Sequence, residues 1–297
     1  MKNGTGYLYG IIAYLLWGAF PLYFNLVGMI NPFEIIPWRV LTSLVFCLLI
    51  IALLRQWKPL RSTLSQPKLI GWFTISSLLL YINWQIFVAA VVSGNILETS
   101  LGYFINPLVT ILIGVLLRGE KLTRAQWAAV GVAAVGVLVS AGAYGRFPLI
   151  ALGLAFSFGF YGAVHQHASK HVDALTGLTV ETLLVSPLAI AQLAVVSSAI
   201  GGLGAFAHGP GIAALLMGAG VVTAVPLLFF GAATRRLPLA HLGFIQFLTP
   251  ILSFMTGYFI FHEEMPPARW IGFAAVWVSL TILITDTVTR LRREPQP

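Results

Sequence analysis

The chain repeats itself at a fixed offset of 143 residues, and no other feature limits its fold as much. Pro107 returns as Pro250, Gly114 as Gly257, Glu120 as Glu263 and Trp127 as Trp270. Gly10 returns as Gly153, and Ala89-Ala90 as Ala232-Ala233. The offset is nearly half of the 297 residues, so the chain reads as one unit of about five apolar segments, duplicated. An odd number of membrane spans per unit puts the second copy into the bilayer upside down. Inverted repeats of this kind are the signature of alternating-access transporters.

The bilayer itself follows from composition. Charged residues make up 9% and hydrophobic residues 58% of the chain. A soluble domain carries about 25% charged residues. There is too little polar surface to coat a water-soluble globule, so a multi-pass membrane protein is expected. Ten spans of about 20–22 residues with short loops use nearly the whole length. No G-x-x-x-x-G-K-[ST] motif is present, so any transport is not driven by an ATPase of its own. The single Cys47 sits in an apolar run and permits no internal disulfide. The stretch 7–27 is longer than a signal-peptide core and lacks a following small-x-small site, so it reads as the first span.

Apolar windows give ten candidate spans: 7–27, 34–54, 69–91, 97–117, 124–143, 148–167, 176–197, 211–234, 239–261 and 267–288. With the N-terminus in the cytoplasm, 14 of the 17 Lys and Arg residues fall inside and only Arg146 and Arg269 outside, with Arg39 within a span. This is the positive-inside bias. The net charge of +8 is therefore a topology signal and a contact for anionic lipid, not a nucleic-acid footprint. The bias also bears on the repeat. The basic residues Arg118, Lys121 and Arg124 around Glu120 become Phe261, Glu264 and Pro267 around Glu263, as a second copy facing outward requires. The expected fold class is all-α: ten transmembrane helices in two inverted five-helix repeats, 1–145 and 146–297, with both termini cytoplasmic.

Pro21, Pro37, Pro107, Pro187, Pro226 and Pro250 lie inside these spans. Each removes a backbone hydrogen bond, giving either bent packing or bends around a cavity that rocks. Trp57, Trp127 and Trp270 lie near span ends and read as interfacial anchors.

Polar groups within the spans are the site candidates. Arg39 is the sharpest. It is either a snorkelling arginine or a structural ion pair, with Glu34 or a carboxylate on another span as partner, or else an anchor for an anionic substrate group or part of a gate. Glu98 starts the fourth span, where it suits a helix cap. Glu181 reads as an interfacial residue or a proton-coupling carboxylate. Glu34, Glu98 and Glu181 are the proton-coupling candidates. Tyr81, Asn83, Trp84 and Gln85 cluster in the third span, and Tyr14, Trp17 and Tyr23 surround Pro21. At the 143 offset Tyr103 pairs with Gln246, and Asn106 with Thr249, beside Pro107 and Pro250. Such matched polar positions serve either a midplane site at the repeat interface or interhelical hydrogen bonding. Trp17, Arg39, Tyr81, Trp84, Tyr103, Asn106 and Gln246 form the expected substrate-binding set. His165, His167 and His171 read as surface histidines, with no Cys or carboxylate nearby to complete a metal set. No nucleophile with its base and no H-E-x-x-H appears, so neither catalysis, a cofactor nor a metal is expected.

Trp17-Gly-Ala-Phe-Pro-Leu-Tyr23, Glu34-x4-Arg39 and Glu98-Thr-Ser-Leu-Gly-Tyr-Phe-Ile-Asn-Pro107, with the duplicated layout, resemble the RarD-type EamA transporters of the drug/metabolite transporter superfamily. The resemblance implies a bacterial inner-membrane permease for secondary transport, often export, of small metabolites. Members of that family usually carry a basic pair after the sixth-span Tyr-Gly. Here Tyr161-Gly162 is followed by Ala163-Val-His-Gln166, so a role for that pair does not carry over. The expected function is alternating-access export of an amino-acid-like or amphipathic compound. A membrane enzyme acting on a lipid intermediate and a passive channel are the alternatives. Substrate, direction, coupling ion, and whether the protein is a monomer or a homodimer stay open.

Overall fold

The computed structural model describes residues 2–93, 96–144, 147–260 and 267–293. Its helices in chain order are α1 (Lys2–Gly18), α2 (Phe20–Asn25), α3 (Pro32–Leu53), α4 (Trp57–Leu64), α5 (Pro67–Val92), α6 (Ile96–Arg118) and α7 (Arg124–Tyr144). They continue with α8 (Leu149–Ala168), α9 (Ala174–Ile200), α10 (Gly204–Ala207), α11 (Pro210–Thr234), α12 (Leu239–Gln246), α13 (Leu248–Met255), a π-helical turn (Thr256–Ile260) and α14 (Pro267–Arg293). Among the described residues seven helices are long and apolar enough to cross a membrane, and 124–139, 239–252 and 277–286 are shorter apolar helices. The chain is an all-α multi-pass membrane protein. The short helices α4 and α10 carry no sequence signal that set them apart from loops. Arg146 and Glu263 lie outside the described residues.

Among the described residues the apolar windows are largely helical, and the first and ninth are broken near Pro21 and Pro250. Proline lacks the N–H for its own turn and clashes with the carbonyl four residues back. For Pro21 and Pro250 those carbonyls belong to Trp17 and Gln246. α1 stops at Gly18 and α12 at Gln246. Elsewhere the helix continues because the freed carbonyl finds another donor. Phe33 O, opposite Pro37, accepts from Gln192 Nε2 at 2.8 Å. Leu183 O, opposite Pro187, accepts from Ser186 Oγ at 2.8 Å. Helix starts follow ordinary capping: Asn31 accepts from the Phe33 N–H, and Asp173 from the Thr176 N–H, both at 2.9 Å.

The basic residues gather at one end of the bundle. There the Arg118 guanidinium donates to Ala163 O, and Gln166 Nε2 donates to Thr234 O and Leu237 O. Glu120 accepts from the backbone N–H groups of Leu239 and Ala240, and Thr123 Oγ1 donates to Asp286. Thus α6, α8 and α11 end, and α7 and α12 begin, at the same face. α3 packs between α9 and α11, α6 between α8 and α12, and α7 against α14. Two crossings need glycine. A Cβ at Gly220 would stand 2.3 Å from the Thr42 carbonyl carbon, and one at Gly243 2.9 Å from Pro107 O. The outer surface carries exposed Leu53, Leu116, Leu138 and Phe147, which suit lipid and would be costly in water.

Candidate functional site

Arg39 is held by five elements at once. It stands in the second turn of α3, half-buried, with its Nε donating to Thr223 Oγ1 of α11 at 3.0 Å. Its guanidinium lies 4.4 Å from the ring centre of Trp84 on α5 and 4.8 Å and 5.7 Å from those of Phe24 and Phe20 on α2. Tyr103 of α6 is close enough to act on it electrostatically. Aromatic faces attract a cation without neutralising it. Among the described residues no carboxylate pairs with Arg39, and the one ion pair joins His165 to Glu181.

The expected partner Glu34 does not face Arg39. Five helical residues turn a side chain about 140° away. Glu34 is instead fully buried against α10, accepting from Gly204 N and Ala205 N at 3.0 Å each and from Trp38 Nε1 at 3.2 Å. It pins the α9–α11 connection to α3. Glu98 is the third residue of α6, and its side chain lies outside the described residues.

Of the expected substrate-binding set, Arg39, Trp84 and Tyr103 come together. Trp17 lies in an aromatic cluster with Tyr14, Phe158 and Phe230, at 5.2–5.7 Å between ring centres. Gln246, at the α12 break, accepts from Thr110 Oγ1 at 3.2 Å across the α6–α12 seam. Asn106 is one turn earlier on α6, buried, with its Oδ1 unpaired. Thr249 Oγ1 donates to Tyr14 O at 3.3 Å, and the buried Tyr14 hydroxyl is unpaired. Tyr81 donates its hydroxyl to Gln192 of α9, which also accepts from Gln85. Asn83 donates to Leu154 O and to Ser157 Oγ of α8, both at 2.9 Å, so it joins helices.

The histidine reading needs correction. His167 and His171 are exposed, and His171 lies beyond the end of α8. His165 is buried at 2% exposure, because its face of α8 meets α9 and α5 rather than water. Its Nδ1 lies in hydrogen-bond contact with Glu181 Oε1 at 2.8 Å, and Ser76 Oγ of α5 donates to the same oxygen. Glu181 is also 2% exposed. His165 Nε2 and Glu181 Oε2 are unpaired. Among the described residues no group of three His, Cys, Asp or Glu is placed to hold a metal ion.

A hollow of about 20 Å³, enough for one water, is lined both by Glu181 and by Thr223, the residue that Arg39 bonds. Its walls include Val40 and Ser43 of α3, Tyr81 and Trp84 of α5, Glu181 of α9 and Thr223 of α11. Thr223, Gln192 and Ser76 were missed from sequence. Each is a polar residue inside a long apolar run, which is the signal that could have flagged it.

The EamA-like transporter family matches this chain twice, over residues 4–142 and 147–285, so the second match repeats the first 143 residues on. A protein named RarD from Salmonella typhi is 42% identical over 99% of this chain and 99% of its own length. The uncharacterized transporter YojE of Bacillus subtilis is 38% identical over 98% and 97%. One solved crystal structure, 18% identical, superimposes with a TM-score of 0.68 over 95% of this chain and 98% of the other, a likeness of fold.

Proposed function

Because the chain belongs to the EamA-like transporter family, as a homologue of RarD proteins, we propose that it exports a small metabolite bearing a carboxylate or similar anion, by alternating access. Family membership makes it a membrane transporter of a small molecule and sets the enzyme reading aside. The finer reading is ours. Ten spans form two inverted repeats, divided near residue 145, in a bacterial inner membrane with both termini cytoplasmic.

One observation carries the substrate class. Arg39 is half-buried among aromatic rings and a hydroxyl, without a described carboxylate to neutralise it. A cation costs several kcal/mol in a membrane interior, so such residues mark substrate paths. An arriving carboxylate supplies the missing partner, with the planar guanidinium offering it two donors. Trp84 and Tyr103 then shape the amphipathic remainder. Trp17, Tyr81, Asn106 and Gln246 line the path at the helix breaks and at the α6–α12 seam, where a rocking motion repacks. Two acidic groups, Glu34 and Glu120, bridge α3 to α10 and the α6–α7 turn to α12, and these bridges support alternate closure at the two ends.

The test compares the culture medium of cells producing wild type, Arg39→Ala or no transporter, at equal membrane levels. A solute should accumulate outside only with wild type, and it should carry a carboxylate or related anion. Identical media for wild type and the empty control would overturn export. A solute exported equally by Arg39→Ala would overturn Arg39 as its anchor.

A further inference from the structure

We propose that His165 and Glu181 form one proton-binding site, linked to Arg39 across the small cavity that Glu181 and Thr223 line. The proposal deepens the export reading and rests on it for the meaning of the link. The geometry comes first. The two side chains meet at 2.8 Å inside the bundle, and both are 2% exposed. With the Glu181 carboxylate ionised and His165 neutral, the pair holds a net negative charge away from water. Only the Ser76 hydroxyl and the His165 Nδ1–H compensate it, since Glu181 Oε2 has no partner. A buried charge so poorly satisfied is costly, and one proton removes it. The proton binds His165 Nε2, the unpaired ring nitrogen, leaving an imidazolium–carboxylate pair of zero net charge.

The surroundings leave this site to those two residues. On α8, Tyr161 lies tilted beside the imidazole, with ring centres 5.5 Å apart, and it feels the Glu181 charge. Tyr14 of α1 faces Tyr161, and Cys47 of α3 meets Thr179 of α9. Phe73 of α5 and Phe230 of α11 cover the ring with apolar surface. These tyrosines and the thiol stay neutral across the physiological range, and no described Lys, Arg, Asp or other Glu pairs with the site. Gly231 packs against the buried Nε2, where a Cβ would stand 3.2 Å from Nε2 and 3.4 Å from Ala174. Ala174 also lines a hollow of about 370 Å³ at the basic end, walled by Tyr9, Phe229, Arg235 and Arg236.

The link to Arg39 is electrostatic. Glu181 and Thr223 both line the water-sized cavity, and Thr223 accepts from Arg39. The positive charge of Arg39 favours the negative form of the pair. Once the pair takes a proton, that nearby negative charge is gone, and Arg39, which has no described carboxylate partner of its own, holds an anion more strongly. By reciprocity the anion favours the proton. Proton and anion then favour each other's binding and release.

Infrared difference spectra of the reconstituted protein, titrated without substrate, test this directly. A protonation step involving imidazole and carboxylate signals is expected. Glu181→Gln should abolish it. Ser76→Ala, which keeps both charges, should retain the step and move its midpoint to higher pH. Arg39→Gln should raise proton affinity about fivefold or more. A wild type without any step, or a step unchanged in Glu181→Gln, overturns the proton site. A midpoint unmoved in Arg39→Gln overturns the link. If cells export nothing while the titration behaves as described, the export reading fails and the proton site stands. If export through Arg39 persists with no titration, the reverse holds.

Discussion

Glu120 accepts the Ala240 backbone N–H at 2.7 Å, so a carboxylate in the turn after α6 caps the start of α12. Its other oxygen takes the Leu239 N–H at the same distance. Two orphan amides of a helix start are thereby satisfied by a charge from the other repeat, where the helix dipole also favours it. Gly114 makes room, since a Cβ there would stand 2.7 Å from the Glu120 carboxylate and 2.9 Å from Ala240 N. Glu120→Ala removes charge-assisted bonds and should cost about 1.5–3 kcal/mol. Unfolding of purified protein in mixed micelles, compared with Glu120→Gln, will read this. Glutamine keeps an acceptor and should lose less.

The α3–α11 crossing depends on a missing side chain. Gly220→Val should strand Thr42 and Ser43 against a branched side chain, break the bond from Ser43 Oγ to Gly220 O, and pull Thr223 from Arg39. Folded protein recovered from membranes should fall several-fold. Gly71→Ala on α5, where nothing lies within 4 Å of the new Cβ, should fold normally and gain helix propensity worth up to about 1 kcal/mol. Equal recovery of the two variants would contradict the crossing.

Arg39→Lys keeps a charge but loses the planar group that lies over Trp84 and donates to Thr223. A compact ammonium offers no fork to a carboxylate. Export should drop about tenfold or more for lysine and fall to background for alanine, measured as initial efflux from loaded vesicles once the solute is known. Lysine at full activity would mean that charge alone suffices.

Gln192 satisfies the Phe33 carbonyl that Pro37 leaves without a helical partner. Gln192→Leu should therefore cost about 1–3 kcal/mol by stranding a buried acceptor. Pro37→Ala restores a backbone donor to that carbonyl, so the double variant should lose less than the sum of the single ones. A cycle of four unfolding measurements will show the coupling, and strict additivity would refute this account.

Much of this was legible along the chain. The apolar windows and the 143-residue duplication follow from hydropathy and residue identity, but the six prolines inside the windows did not say that Pro21 and Pro250 would stand beside a break while Pro37, Pro107, Pro187 and Pro226 would not. Trp17 and Gln246 fall at the breaks because each stands four residues before a proline. Arg39 was visible as a charge where none is cheap. His165 was misread, since a histidine cluster near a helix end resembles a wet surface until α9 and α5 are laid over one side of it. Glu34 was given the wrong partner because spacing along a helix does not say which neighbour fills the facing groove.

The amino-acid sequence by itself therefore determined the spans, their duplication and which few polar groups enter the membrane. These are properties of residues and their neighbours along the chain, set by transfer from water and by backbone hydrogen bonding. Only the tertiary structure decided which of those groups meet. Arg39 and Thr223 are 184 residues apart, and Ser76 and Glu181 are 105 apart. Their contact depends on helix phase and on the glycine crossings that set the distance between helices, and neither is written in local composition.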